Sequence, residues 1–210
     1  MIRIYFNIEG DSSMKEVFLN NSINFITKYN PNYTEDDIEK IKYGLEGLYL
    51  TLTKLIIILL LSAILNITKE IILVLLFLNI IRYPAFGVHA DKSSICLITS
   101  IIFILGLPYI LINIKINIYT KIIISILCFI NYLLFAPADT IKRPLTNKKK
   151  RKYRKIASCI LASIYIVLIF TLKSNTLINT ILAALIIEAI MINPLTYKLL
   201  GMPYRNYKNY

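Results

Sequence analysis

The sequence predicts an all-α, polytopic membrane bundle of about six transmembrane helices, preceded by an amphipathic interfacial helix. Three observations predict it. Hydrophobic residues make up 57% of the chain and mean hydropathy is +0.64, whereas soluble domains sit near about 45–50% apolar. Ile and Leu concentrate in six blocks, approximately 44–66, 69–82, 94–113, 119–137, 156–173 and 176–197. The second and fifth are short against the roughly 20 residues that a bilayer asks for. Finally, the charges fall between the blocks, in "NITKE", "RYPAFGVHADK", "INIKINIYTK", "ADTIKRPLTNKKKRKYRK" and "LKSN".

The elements follow in order. "SMKEVFLNNSINFITKY" carries Met14, Val17, Phe18 and Leu19 on or near one face and reads as a modestly amphipathic helix. "NPNY" breaks it. Thr34 then caps a fresh helix whose first turn is acidic, "TEDDIEK", as suits a helix N-terminus. Ile38, Ile41, Leu45, Leu48, Tyr49 and Leu52 recur at helical spacing, so this helix begins at the membrane surface and runs on into the first span. The chain thus divides into an interfacial segment, 1–40, a transmembrane domain, 41–200, and a polar, aromatic tail, 201–210. The start, "MIRIYFNIEGDSSMKE", lacks the pattern of a removable signal peptide, and none is expected. No internal repeat stands out.

Net charge is +12. On a soluble chain that would suggest a nucleic-acid partner. Here no zinc-finger or RNA-binding signature accompanies it, and topology accounts for it. With six spans, one side receives Lys and Arg from the N-terminal segment (five), the loop around Arg82 (two), residues 138–155 (nine) and the tail (three). The other side receives four, and Lys54 lies within the first span. The positive-inside rule then puts both termini, the "KKKRKYRK" loop and the segment from His89 to Cys96 in the cytoplasm of a multi-pass cell-membrane protein. The basic loop has two explanations, topology with anionic headgroups, or recruitment of an acidic partner segment by Lys148, Lys149, Lys150 and Arg151.

"RYPAFGVHADKSSIC" holds the only histidine, His89, and a cysteine, Cys96, seven residues on. A thiolate attacks acyl carbon, and a nearby imidazole takes the thiol proton and returns it to the leaving amine. Seven residues of continuous helix rise by about 10.5 Å, so the two groups meet only if the chain bends between them. Pro84 and Gly87 permit the bend, and Ser93 or Ser94 can cap a helix that puts Cys96 in its first turn, where the dipole favours a thiolate. Spacing alone leaves open that both residues are structural. Cys128 and Cys159 lie inside apolar runs and read as inert. Zinc needs three or four protein ligands, so neither a metal nor another cofactor is expected.

Two acids on the same side, Asp91 and Asp139, can each orient His89 as a third member. The favoured alternatives are that Asp91 caps the helix leading to Cys96 and that Asp139 sits at a helix end or turn, paired with Lys142 or Arg143. Glu188, deep in "ILAALIIEAIMIN", is either a functional intramembrane carboxylate or a protonated one bonded to a neighbouring helix.

"RYPAFGVHADKSSIC" resembles the signature of the accessory gene regulator protein B family, membrane cysteine endopeptidases of Gram-positive quorum sensing. Arg82, Gly87, His89, Ala90 and Cys96 match it one for one, and "APADTIKRPL", from Ala136 to Leu145, is similar to the family's segment after the fourth apolar run. Phe86 departs from it, since many members carry a second glycine there. The resemblance implies that the transmembrane domain is catalytic. It implies cleavage of an AgrD-like precursor peptide near its C-terminal end, with an acyl thioester on Cys96. His89 would act as base and then acid, and Arg82 would orient the loop or bind a precursor carboxylate. A nucleophile within the peptide then closes a macrocyclic thiolactone. A homodimer and contact with the lipid bilayer are further expectations, and no ATP site appears. The rival functions are a transporter or channel for a peptide or small solute, using Glu188 and the break at Pro84–Gly87, and a non-catalytic membrane scaffold.

Overall fold

The structure, a computed structural model, describes residues 9–30, 32–88, 93–140 and 144–209. It is all-α, with isolated bridge residues but no strand among the described residues. The chain forms two compact units, residues 1–57 and 58–210.

In the first unit, α1 (Glu9–Tyr29) precedes the start of α2 (Glu35–Ile64). The start of α2 is fastened as its sequence suggests. The Asp37 N–H donates to Thr34 Oγ1, while Asp37 Oδ2 accepts from the Thr34 N–H and hydroxyl. This reciprocal box satisfies amides that the helix itself leaves unbonded. Within the unit Lys15 pairs with Glu46 at 2.8 Å and Phe18 packs on Tyr49. Met14 and Val17 are exposed.

The second unit holds α3 (Thr68–Ala85), α4 (Ser93–Ser100), α5 (Leu107–Asn113), α6 (Ile118–Phe135), α7 (Lys148–Thr171), α8 (Asn175–Ile192) and α9 (Pro194–Leu199). Among the described residues five helical stretches are long and apolar enough to cross a membrane: α2, the run from α4 through α5, α6, α7 and α8. The 18-residue α3 has similar length but carries Lys69, Glu70 and Arg82. The run from α4 to α5 is not a uniform helix, because Ile101–Gly106 is π-helical. Pro108 opens α5, and its missing N–H and ring disturb the α ladder one turn upstream.

Two differences from the sequence expectation matter for the site. The basic stretch is not a loop: Lys148, Lys149, Lys150 and Arg151 form the first turn of α7. Asn147 caps it, its side-chain oxygen accepting from the Lys149 and Lys150 amides, and Lys and Arg are good helix formers. The sixth apolar run also ends early, at Ile192, because Asn193 caps a new helix with Pro194 at its first position.

The core is organised around α8, which packs against α3, α5, α6, α7 and α9. Of its apolar window 67% is buried, against 11–22% for the other candidate spans. Lipid tails give little drive for helix association, so packing must come from close approach. Ala183, Ala184 and Ala189 supply it, being small and buried. Polar links cross between helices at Tyr165, whose hydroxyl donates to the Phe77 carbonyl at 2.8 Å, and at Asn179, which donates to the Leu111 carbonyl at 3.0 Å.

Candidate functional site

One end of the second unit gathers the C-terminal ends of α3, α6 and α8 with the start of α7 and the tail. The link is the segment after α3. Its backbone turns through two positive φ angles, +67° at Phe86 and +111° at Gly87. Phe86 is paired with Ala138 in a parallel bridge. The Ala138 N–H donates to the Ala85 carbonyl at 2.9 Å, and the Gly87 N–H donates to the Ala138 carbonyl at 3.0 Å. One residue further, the Val88 N–H donates to the Met191 carbonyl of α8 at 2.9 Å. Residues 85–88 are therefore stitched to two other parts of the bundle.

Gly87 is required twice over. Its φ lies in territory that L side chains avoid. A Cβ there would also meet Glu188 Oε1 at 3.2 Å and Met191 Cβ at 3.3 Å. Phe86 has no such excuse, and its left-handed backbone is held from outside. Its N–H donates to the Arg82 carbonyl at 2.8 Å, and the Arg154 guanidinium lies 4.4 Å from its ring centre. Arg154 also donates to the Tyr83 carbonyl at 2.6 Å. The Phe86 departure from the family pattern thus keeps a glycine-like backbone.

Arg82, on the last turn of α3, grips the same segment. Its Nη2 donates to the Val88 carbonyl at 2.9 Å, and its Nη1 lies 3.9 Å from Glu188 Oε2. Glu188 is fully buried, and neither carboxylate oxygen has a hydrogen-bond partner among the described residues.

Asp139 is the second buried acid of this end, 1% exposed. Its Oδ1 accepts from the Asn206 N–H at 3.0 Å. Its Oδ2 accepts from Tyr207 at 2.8 Å and Leu145 at 3.2 Å, again from backbone amides. Tyr197, on α9, donates its hydroxyl to the carbonyls of Ala138 and Asp139. Burial, then the Asp139 charge, push the Tyr197 phenol well above its ordinary range. The tail is further held where the Arg151 guanidinium covers the Tyr207 ring at 3.8 Å.

The structure brings Arg82 and Gly87 together, with Glu188 between them. Cys96 is the fourth residue of α4 and half-buried, its carbonyl accepting from Thr99 Oγ1 at 3.1 Å. His89 and Asp91 lie outside the described residues, as do Lys142 and Arg143. Lys148, Lys149 and Lys150 are exposed on the first turn of α7, with Arg151 half-buried beside the tail. Among the described residues no three His, Cys, Asp or Glu side chains converge as metal ligands would. The contacts of Tyr197, Asn206, Tyr207 and Arg154 have no counterpart in the sequence pattern. The tail's aromatic residues were the available signal, but they were equally suited to the membrane interface.

Comparison with known proteins agrees with the motif. The family described as Accessory gene regulator B matches residues 19–192. An AgrB-like protein of Clostridium acetobutylicum is 31% identical over 86% of this chain and 87% of its own length. One from Listeria innocua is 35% identical over 84% of this chain and 86% of its own. The accessory gene regulator protein B of Staphylococcus aureus is 34% identical over 56% of this chain and 62% of its own. No solved structure matches the chain. With the match running from α1 to the end of α8, and so through the whole segment that Arg82 and Gly87 shape, the chain belongs to the accessory gene regulator B family.

Proposed function

We propose that the protein is a membrane cysteine endopeptidase that cleaves an AgrD-like pheromone precursor near its C-terminal end and promotes its cyclisation. The observation that carries this is the position of Cys96, half-buried, the fourth residue of α4, and eight residues along the chain from the backbone pinned at Val88. Amides of a first helical turn favour negative charge, so this position lowers the cost of a thiolate.

Cys96 is the nucleophile. Its sulfur adds to the scissile carbonyl carbon as His89 removes the thiol proton. The C–N bond then breaks, and the proton passes from His89 to the departing amine. The acyl half of the peptide remains as a thioester on Cys96. A thiol within that half attacks the thioester carbon, forming the thiolactone and returning the Cys96 sulfur as leaving group, which regains a proton. The thioester keeps the acyl group activated, and exchanging one thioester for another is near balance, so ring closure itself needs no nucleotide. Exclusion of water favours it over hydrolysis. In this reading Arg82 and Gly87 shape the loop that carries His89. The basic turn Lys148–Arg151 faces the cytoplasm with both termini, meeting anionic lipid headgroups and an acidic part of the precursor. The active protein is a homodimer in the cell membrane.

The test is reconstitution in liposomes with the synthetic precursor peptide. Wild type is expected to release the C-terminal fragment and to yield a peptide thioester on Cys96, labile to hydroxylamine. Cys96→Ala and His89→Ala are expected to do neither, and cleavage by both would overturn the proposal. Neutralising Lys148–Arg151 is expected to slow processing beyond any loss of membrane insertion.

A further inference from the structure

Glu188 is a fully buried acid at this end whose two carboxylate oxygens have no hydrogen-bond partner among the described residues. The cation beside it is Arg82, at 3.9 Å. Such a carboxylate costs several kcal/mol to place in the core of a bundle. Helix packing alone would be better served by Leu or Met.

Its surroundings say what it does. Glu188 and Met191 are three residues apart on α8, so they share a face, and that face meets residues 87–88 at two points. The Met191 carbonyl holds the Val88 N–H, and Glu188 Oε1 lies 3.2 Å from where a Gly87 Cβ would stand. From the other side Arg82 holds the Val88 carbonyl at 2.9 Å. The guanidinium is planar and presents a fixed fork. A carboxyl group 3.9 Å from Nη1 therefore biases the direction in which Nη2 points. Both polar groups of the Val88 backbone are thereby oriented, one by α8 directly and one by α8 through Arg82. The next peptide unit belongs to His89.

We propose that Glu188 is a positioning residue that acts through Arg82 and Gly87 to set the backbone immediately ahead of His89. The proposal rests on the endopeptidase reading, in which His89 must reach Cys96. Glu188 touches neither peptide nor thiol. It orients the arginine that orients the loop.

The experiment uses the full-length protein in liposomes with the synthetic precursor. Cys96→Ala serves as the control for the endopeptidase reading itself, and if it still cleaves, that reading fails whatever Glu188 does. With that control inactive, Glu188→Gln, which keeps volume and removes the charge, is expected to lower kcat on the order of 10²-fold, the size that a displacement of about 1 Å can produce. KM is expected to change less than about threefold, because the peptide is not touched. Melting in detergent is expected to stay near wild type. The double variant Arg82→Met/Glu188→Leu is expected to be no slower than Arg82→Met alone, since the two side chains work as one device. An unchanged kcat in Glu188→Gln, a loss confined to KM, or effects of the two sites that multiply would overturn the proposal.

Discussion

Asp139 and Glu188 are both buried carboxylates at the same end of the bundle, and they are opposites. Every oxygen of Asp139 is occupied, by the amides of Asn206, Leu145 and Tyr207. Glu188 has no hydrogen bond among the described residues and one guanidinium 3.9 Å away. Burial alone therefore does not separate a structural acid from one kept for another purpose. The hydrogen-bond inventory does. Asp139 ties the tail and the start of the α7 approach to the end of α6, and its charge is answered by the backbone. Glu188 stabilises little by itself, and its value lies in what it does to Arg82.

The largest expected effect separates the two acids. Asp139→Asn turns an amino group toward amides that need an acceptor. Leaving buried donors unanswered costs about 1–3 kcal/mol each. A loss of about 3 kcal/mol is expected, read as a fall in the detergent melting temperature and as protease sensitivity at residues 203–209. Glu188→Gln breaks no hydrogen bond, and Arg82 keeps partial access to solvent. It is expected to cost less than about 1 kcal/mol. Equal losses in the two variants would erase the distinction.

Gly87→Ala comes next and probes the Glu188 side. The added methyl meets Oε1 at 3.2 Å and Met191 Cβ at 3.3 Å, at a φ of +111°. Strain of this kind costs about 1–3 kcal/mol. A loss near 2 kcal/mol is expected, with cleavage failing before the fold does. Its neighbour allows backbone and ring to be weighed apart. Phe86→Ala and Phe86→Gly both delete the ring over which Arg154 lies at 4.4 Å. Only the glycine relieves a φ of +67°. Phe86→Gly is expected to be more stable than Phe86→Ala by about 1 kcal/mol, measured as the difference between their melting curves.

The fold class was legible because six apolar blocks and interspersed charge leave few alternatives. Thr34 and its acidic turn also announced the start of α2, since capping is local chemistry. What sits at the centre was not legible. Every span is rich in Ile and Leu, and only the small residues of "ILAALIIEAIMI" hinted that α8 is surrounded. The basic stretch reads as a loop in the sequence because its charge density masks helix propensity, although Asn147 supplies a cap. At the site, Arg82 and Gly87 were marked by the motif. Their contact with Glu188 joins helices far apart in sequence, and periodicity carries no information about such pairs. The same limit hid Asp139's partners: the acceptors of Asn206 and Tyr207 lie in another helix connection, and a polar aromatic tail looks alike whether it lies on lipid or on protein.

Tyr197 gives the smallest effect, and it tests whether the Asp139 side is a knot of several strands or of one. Its hydroxyl donates to the carbonyls of Ala138 and Asp139 at 2.9 and 3.0 Å, so Tyr197→Phe removes a donor but leaves Asp139's own three amide bonds in place. A loss of about 1 kcal/mol is expected at neutral pH. The pH dependence has a definite sign. Burial, then the charge of Asp139, raise this phenol well above its ordinary value of about 10. The folded state therefore holds the proton more tightly than the unfolded state does. The stability tied to that proton is present in full below about pH 10 and is lost as pH rises above it. Wild-type melting is expected to fall between about pH 10 and 11 more steeply than that of Tyr197→Phe, because the variant has no proton to lose there. Parallel curves would mean that the phenol ionises as readily in the folded chain as outside it. The carbonyl contacts at Ala138 and Asp139 would then be too weak to count among the fastenings on Asp139's side.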